Sequence, residues 1–135
     1  MSSDVFAELL QELGLQLDME LHVDKHYSCS LRISDRFTVQ LQLDSAQERL
    51  RIVAKIFELP PGSFRELVLR DALKANDAGD FPYILGYYPP KNQLALFQSY
   101  PLPQLNGEKL AYMLGPFIAY AELWYEALSR GRSSP

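Results

Sequence analysis

His22, Asp24 and His26 occupy alternate positions of one short stretch, and imidazole and carboxylate are both metal-binding groups. On an extended strand that spacing puts all three on one side. The polar phase of an exposed strand has the same spacing, and the chain has no other His and one Cys, so nothing completes a coordination shell. No metal is assigned. Cys29, the single cysteine, is a nucleophile only beside a base and an orienting group. His26, the base nearest in sequence, falls on the opposite strand phase. Cys29 therefore reads as a small core residue. Asp77 and Asp80 flank Gly79 as in a fragment of a calcium loop, but turn formation accounts for all three. Glycine-rich phosphate loops, nucleophile elbows and zinc-protease helices are absent. No catalytic residue and no cofactor are assigned.

The elements that would position such groups are clearer than the chemistry. Tyr27, Cys29, Leu31 and Ile33 alternate with Ser28, Ser30 and Arg32; Phe37, Val39, Leu41 and Leu43 alternate with Thr38, Gln40 and Gln42. Leu50, Ile52, Ala54 and Ile56 follow, opposed mainly by Arg49, Arg51 and Lys55. Side chains on a strand point alternately to opposite faces, so each stretch predicts a strand with one apolar and one wet face. The connections at Ser34-Asp35-Arg36 and Asp44 to Glu48 are too short for a crossover helix, which makes the three an antiparallel meander.

Around the meander the spacing predicts three helices and a second strand pair. Val5, Phe6, Leu9, Leu10 and Leu13 mark a helix over residues 3 to 13, which Gly14 suits as its left-handed end. Residues 15 to 24 alternate and read as extended. Leu59-Pro60-Pro61-Gly62-Ser63 breaks the chain, and Ser63 with Glu66 forms a capping-box pattern for a helix over residues 64 to 76. Strands at 83–88 and 93–100 flank Pro89-Pro90-Lys91-Asn92. Asn106 caps a last helix running to Ser129, which Gly115-Pro116 should kink. The expected fold is α+β, a twisted antiparallel sheet with three helices in the order α-βββ-α-ββ-α. Residues 1–130 make one domain and residues 131–135 a disordered tail.

At 135 residues and 47% hydrophobic composition, with mean hydropathy −0.14, the chain has the profile of a soluble globular domain. No apolar run approaches the roughly 20 residues a membrane span needs. A net charge of −4 with scattered basic residues argues against a nucleic-acid partner. The opening Met1-Ser2-Ser3-Asp4 lacks the basic and apolar regions of a secretory signal, and one cysteine fits a reducing compartment, so a cytoplasmic protein is expected.

Two elements carry more apolar surface than one core needs. On the second helix Leu69 and Leu73 project away from Phe64, Leu67 and Val68. In the late strand pair Tyr83, Ile84, Leu85, Tyr87 and Tyr88, then Leu94, Ala95, Leu96 and Phe97, leave neither face polar. Strands apolar on both faces are covered on both faces, and three helices are few for five strands. A second copy of the chain is the simplest cover, through Leu69, Leu73, Ile84, Leu85, Tyr87 and Leu96.

Taken in order, these features resemble the class I chaperones of bacterial type III secretion, the Tir-chaperone-like family. The residues that carry the resemblance are Phe6-Ala7-Glu8-Leu9-Leu10-Gln11-Glu12-Leu13-Gly14, Cys29-Ser30-Leu31-Arg32-Ile33, Leu73-Lys74-Ala75-Asn76, Leu85-Gly86-Tyr87 and Asn92-Gln93-Leu94-Ala95-Leu96, with Phe117, Ala121 and Trp124. The match spans about residues 3 to 128, each motif weak alone and the combination specific. The resemblance implies a small cytosolic dimer, of identical chains or with a related chaperone. Its implied partners are secreted effector proteins, whose non-globular chaperone-binding segment wraps around it. It also implies apolar grooves for that segment, placed here at Val5, Phe6, Leu9, Leu13, Leu15, Leu17, Leu21 and Val23, with about half of these expected in the core instead. Two alternatives stand beside it: a module of the same fold that binds a regulator or transcription component, and an enzyme using Cys29 or the His22/His26 pair.

Overall fold

The structure, a computed structural model, describes residues 2–32, 35–79 and 82–135. Ile33 and Ser34, expected at the end of the first strand and its turn, and Asp80 of the Asp77/Asp80 pair lie outside the described residues.

Helix α1 (Ser2–Leu17) forms along the apolar stripe of Phe6, Leu9, Leu10 and Leu13, all buried. It does not stop at Gly14. The left-handed residue is Asp18 (φ 53°), and Met19 N–H donates to the Gly14 carbonyl at 2.9 Å, closing the helix end one turn later than expected. Gly14 is needed for space: a Cβ there would lie 2.7 Å from the Met19 carbonyl oxygen. Residues 15 to 17 are therefore helical and residues 18 to 23 irregular, so the extended reading of 15 to 24 is corrected.

Strands β1 (Ser28–Leu31), β2 (Val39–Asp44) and β3 (Arg49–Glu58) form the meander, and β4 (Ile84–Tyr88) and β5 (Gln93–Pro101) the second pair. All pairings are antiparallel, in the order β1-β2-β3-β5-β4. Leu41 stands between Cys29 and Ile52, and Leu96 between Ala54 and Leu85, so one face carries an unbroken apolar surface. Tyr27, expected on that face, is instead an exposed left-handed turn residue (φ 54°) ahead of β1.

Helix α2 (Ser63–Ala78) follows the proline break, and α3 (Gly107–Ser129) closes the chain. The capping box at Ser63 is not made: Ser63 is already helical, Gly62 holds the cap position, and no side chain bonds there. Asn106 does cap α3, accepting from Lys109 N–H at 2.7 Å. α3 runs unbroken through Pro116, which lies on its exposed side, so the carbonyl one turn back that loses its partner is not buried. Leu110, Leu114, Phe117, Ala121, Trp124 and Leu128 of α3 pack with the α1 stripe onto the apolar sheet face.

Two contacts between distant parts of the chain lock this arrangement. The Glu12 carboxylate accepts from Gly107 N–H at 2.8 Å, placing negative charge at the start of α3, where the helix dipole favours it. The tail is also held: Arg132 N–H donates to the Ala127 carbonyl, and the Ser133 hydroxyl bonds the Asp71 carboxylate of α2 at 2.6 Å. Gly131, left-handed at φ 78°, turns this segment back toward α2.

Candidate functional site: an apolar groove on the first helix

At 100° per residue, Leu15 is turned about 160° away from Leu13, so the helix that buries one presents the other. Leu13 is fully buried and Leu15 is 80% exposed. Because the chain folds back at Asp18, Met19, Leu21 and Val23 return alongside the helix. Together with Ala7, Leu10, Gln11 and Gly14 they enclose a hollow of about 450 Å³.

Of the residues expected at a client groove, Val5, Leu15 and Val23 are exposed, and Leu17 and Leu21 are half-buried against the core. Phe6, Leu9 and Leu13 are buried between α1, α3 and the sheet and offer no surface; they are corrected to core residues. Val5 is not among the residues that line the hollow, and Leu15, Leu21 and Val23 are brought together in it. Met19, Ala7 and Gln11 were not singled out from sequence. Only the reversal at Asp18 carries Met19 back to the helix, and no local pattern announces that.

Beside the groove, β1 is a terminal strand of the sheet. Asp24 occupies its start: the carboxylate accepts from His26 and Ser28 N–H at 2.8 and 3.0 Å, and Asp24 N–H donates to the Ser28 carbonyl. By strand alternation the next peptide groups turned away from β2 are those of Ser30.

At the other edge, of the residues expected to meet a second copy, Leu73 and Ile84 are 68% and 60% exposed. Leu69 is half-buried. Leu85 and Leu96 face each other across β4 and β5 on the helix-covered side and are buried, so their side chains belong to the core. Tyr87 is half-buried, its hydroxyl bonded to Asn92 and its ring 5.3 Å from the Arg65 guanidinium carbon. The opposite, helix-free face of the sheet carries a second hollow of about 670 Å³, lined by Gln40, Gln42, Arg51, Val53, Ile84, Tyr88, Phe97 and Ser99 among others. Val53 sits there on the wet phase of β3 and passed unnoticed in the sequence.

The reactive residues are not assembled. His22 and His26 lie in irregular chain, not on a strand, and Asp24 spends its carboxylate on backbone N–H groups. Among the described residues, no group of three His, Cys, Asp or Glu side chains is placed to hold a metal ion. Cys29 is buried; that burial pushes its thiol pKa up, the Asp24 charge adds to the rise, and a hydrogen bond from the His22 backbone opposes it. No helix among the described residues is long and apolar enough to cross a membrane.

This architecture occurs in solved structures. The chain is similar to a protein of the HopA1–SchA chaperone–effector complex at 24% identity, covering 94% of this chain and 98% of that one, with a TM-score of 0.76. It is similar to a protein of the ExsC–ExsE complex at 22% identity, covering 93% and 94%, with a TM-score of 0.72. A chain of the ExoT–SpcS complex from Pseudomonas aeruginosa matches at 21% identity over 87% and 95%, with a TM-score of 0.64. Comparison with curated proteins gave no match. The model of one family matches residues 8–125, from the first helix to the last. By that match, which runs through every helix and strand of the fold, the chain belongs to the Tir chaperone protein (CesT) family.

Proposed function

We propose that this chain is a bacterial type III secretion chaperone. It acts in the cytoplasm as a homodimer, binds a non-globular segment of an effector protein, and keeps that effector soluble and competent for export without catalytic turnover. The observation that carries the reading is the groove of Leu15, Met19 and Val23, apolar and exposed, with half-buried Leu21 between them, beside a terminal strand. An extended segment fits such a surface: alternate side chains enter the groove, and backbone groups can bond a strand edge. Ordering a disordered client costs entropy, so affinity requires a long contact, which a groove running along a helix and two edges of a dimer supply. Leu73 and Ile84 support the dimer, since both are large apolar side chains next to the junction of α2 and β4.

The test is co-expression with an effector from the same bacterium, full-length and lacking its early non-globular segment. Solubility and co-purification of the full-length client alone, with reduced export when the chaperone gene is deleted, are the expected results. Unchanged binding of the truncated client would favour a module that holds a folded regulator.

A further inference from the structure

The α1 groove is acidic as well as apolar. Residues 2 to 24 contain Asp4, Glu8, Glu12, Asp18, Glu20 and Asp24 and no Lys or Arg. Two of these carboxylates are committed elsewhere, Glu12 to Gly107 N–H and Asp24 to the start of β1. Asp18 and Glu20 line the hollow itself, between Leu15 and Leu21. Glu8 is seven residues before Leu15, two helical turns away on the same face. Among the described residues, no Lys or Arg pairs with Glu8, Asp18 or Glu20. The hollow on the helix-free sheet face is the reverse, with Arg51 in its lining and no carboxylate.

We infer that the segment seated in the α1 groove is an extended peptide whose apolar side chains are flanked by Lys or Arg. Apolar side chains enter beside Leu15, Met19, Leu21 and Val23, and the flanking cations meet Glu8, Asp18 and Glu20 at the rim. A second copy of the chain suits this groove poorly, since its own net charge is −4 and its α1 surface has the same sign. Rim charges of this kind steer approach and reject wrong partners more than they add affinity. The groove thereby selects among disordered segments that are equally apolar. This inference rests on the groove being the client site, but its test requires no knowledge of the client.

Three short labelled peptides carry the same Leu and Val at alternate positions, with Lys/Arg, Asp/Glu or Ser/Gln between them. Binding to the purified chain is read by fluorescence anisotropy at low and high salt. The cationic peptide should bind about tenfold more tightly than the acidic one at low salt, as three exposed charge pairs allow, and the ratio should shrink toward one at high salt. Neutralising the rim with Glu8→Gln, Asp18→Asn and Glu20→Gln should abolish the ratio between the cationic and acidic peptides. Neutralising Glu58, Glu66 and Asp77, which are remote from the groove, should preserve it. Leu15→Ser should weaken all three peptides. Equal binding of the acidic peptide, a ratio that survives the rim substitutions, or no binding by any peptide overturns the inference. If the peptides discriminate as stated but no exported effector depends on the chain, the charge selection stands and the secretion reading fails.

Discussion

The Asn76 side chain completes the edge of the sheet at Leu85: its amide donates to the Leu85 carbonyl and accepts from the Leu85 N–H, each at 2.9 Å. One planar amide thus does for β4 what a sixth strand would do at that residue. Asp24 plays the corresponding part for Ser28 at the β1 edge. An unprotected edge invites pairing with any other chain, so the two clasps narrow where strand addition can occur. Asn76 also holds the last turns of α2 against β4, one turn beyond Leu73.

Removing that clasp should be costly. Asn76→Ala leaves two half-buried backbone groups without their partner, and a loss of about 2 kcal/mol is expected. Urea unfolding measures it, and a change below a few tenths would mean that water replaces the amide.

Gly107→Ala should destabilise through crowding. A Cβ there falls 2.4 Å from the Glu12 Cβ and 2.6 Å from the Glu12 carbonyl carbon, neither of them a flexible tip. The helices must separate or the Glu12 hydrogen bond must break, at about 1–3 kcal/mol by analogy with overpacked cores. Thermal unfolding of the variant checks this.

Leu13 and Leu15 should separate stability from binding. Leu13→Ala opens a cavity in the core and should cost about 2–5 kcal/mol. Leu15→Ser should leave unfolding within about 0.5 kcal/mol of the parent while weakening client capture. Parallel unfolding and co-purification measurements decide; intact capture by the Leu15 variant would remove the groove from the client site.

Leu73→Asp and Ile84→Asp place charge on exposed apolar positions. Each should leave the fold intact and shift sedimentation from dimer to monomer. A variant that still sediments as the parent species would place the contact between copies elsewhere.

Stability should fall on the alkaline side. Burial raises the Cys29 thiol pKa in the folded chain, so the fold favours the protonated form. That contribution is fully present below the unfolded thiol value, about 8.5, and is lost as pH rises through the folded value. Burial raises Tyr83 as well, with the nearby Tyr120 adding to it, and acts in the same direction at higher pH. Unfolding followed from neutral to alkaline pH should show a shallower decline in Cys29→Ala than in the parent.

Much of this fold is legible in the alternation of Val39 to Leu43 and Leu50 to Ile56, because strand periodicity is local and each wet face needs no partner to be recognised. The order of elements, the stripe of α3 and its Asn106 cap are legible for the same reason. The site is less so. Leu13 and Leu15 look equally apolar in the chain, as do Leu85 and Ile84, yet one of each pair is core and the other surface.

By itself the sequence determined which residues share a face of each helix and strand, since that follows from 3.6- and 2-residue periods. Tertiary structure decided which face is covered. The end of α1 depended on Met19 returning to Gly14, the start of α3 on Glu12 reaching Gly107, and the β4 edge on Asn76 meeting Leu85. The first is a local helix end, but the last two join residues 95 and 9 positions apart and form only once separate elements dock. A local pattern cannot contain those two, because the energy that selects them comes from packing between elements.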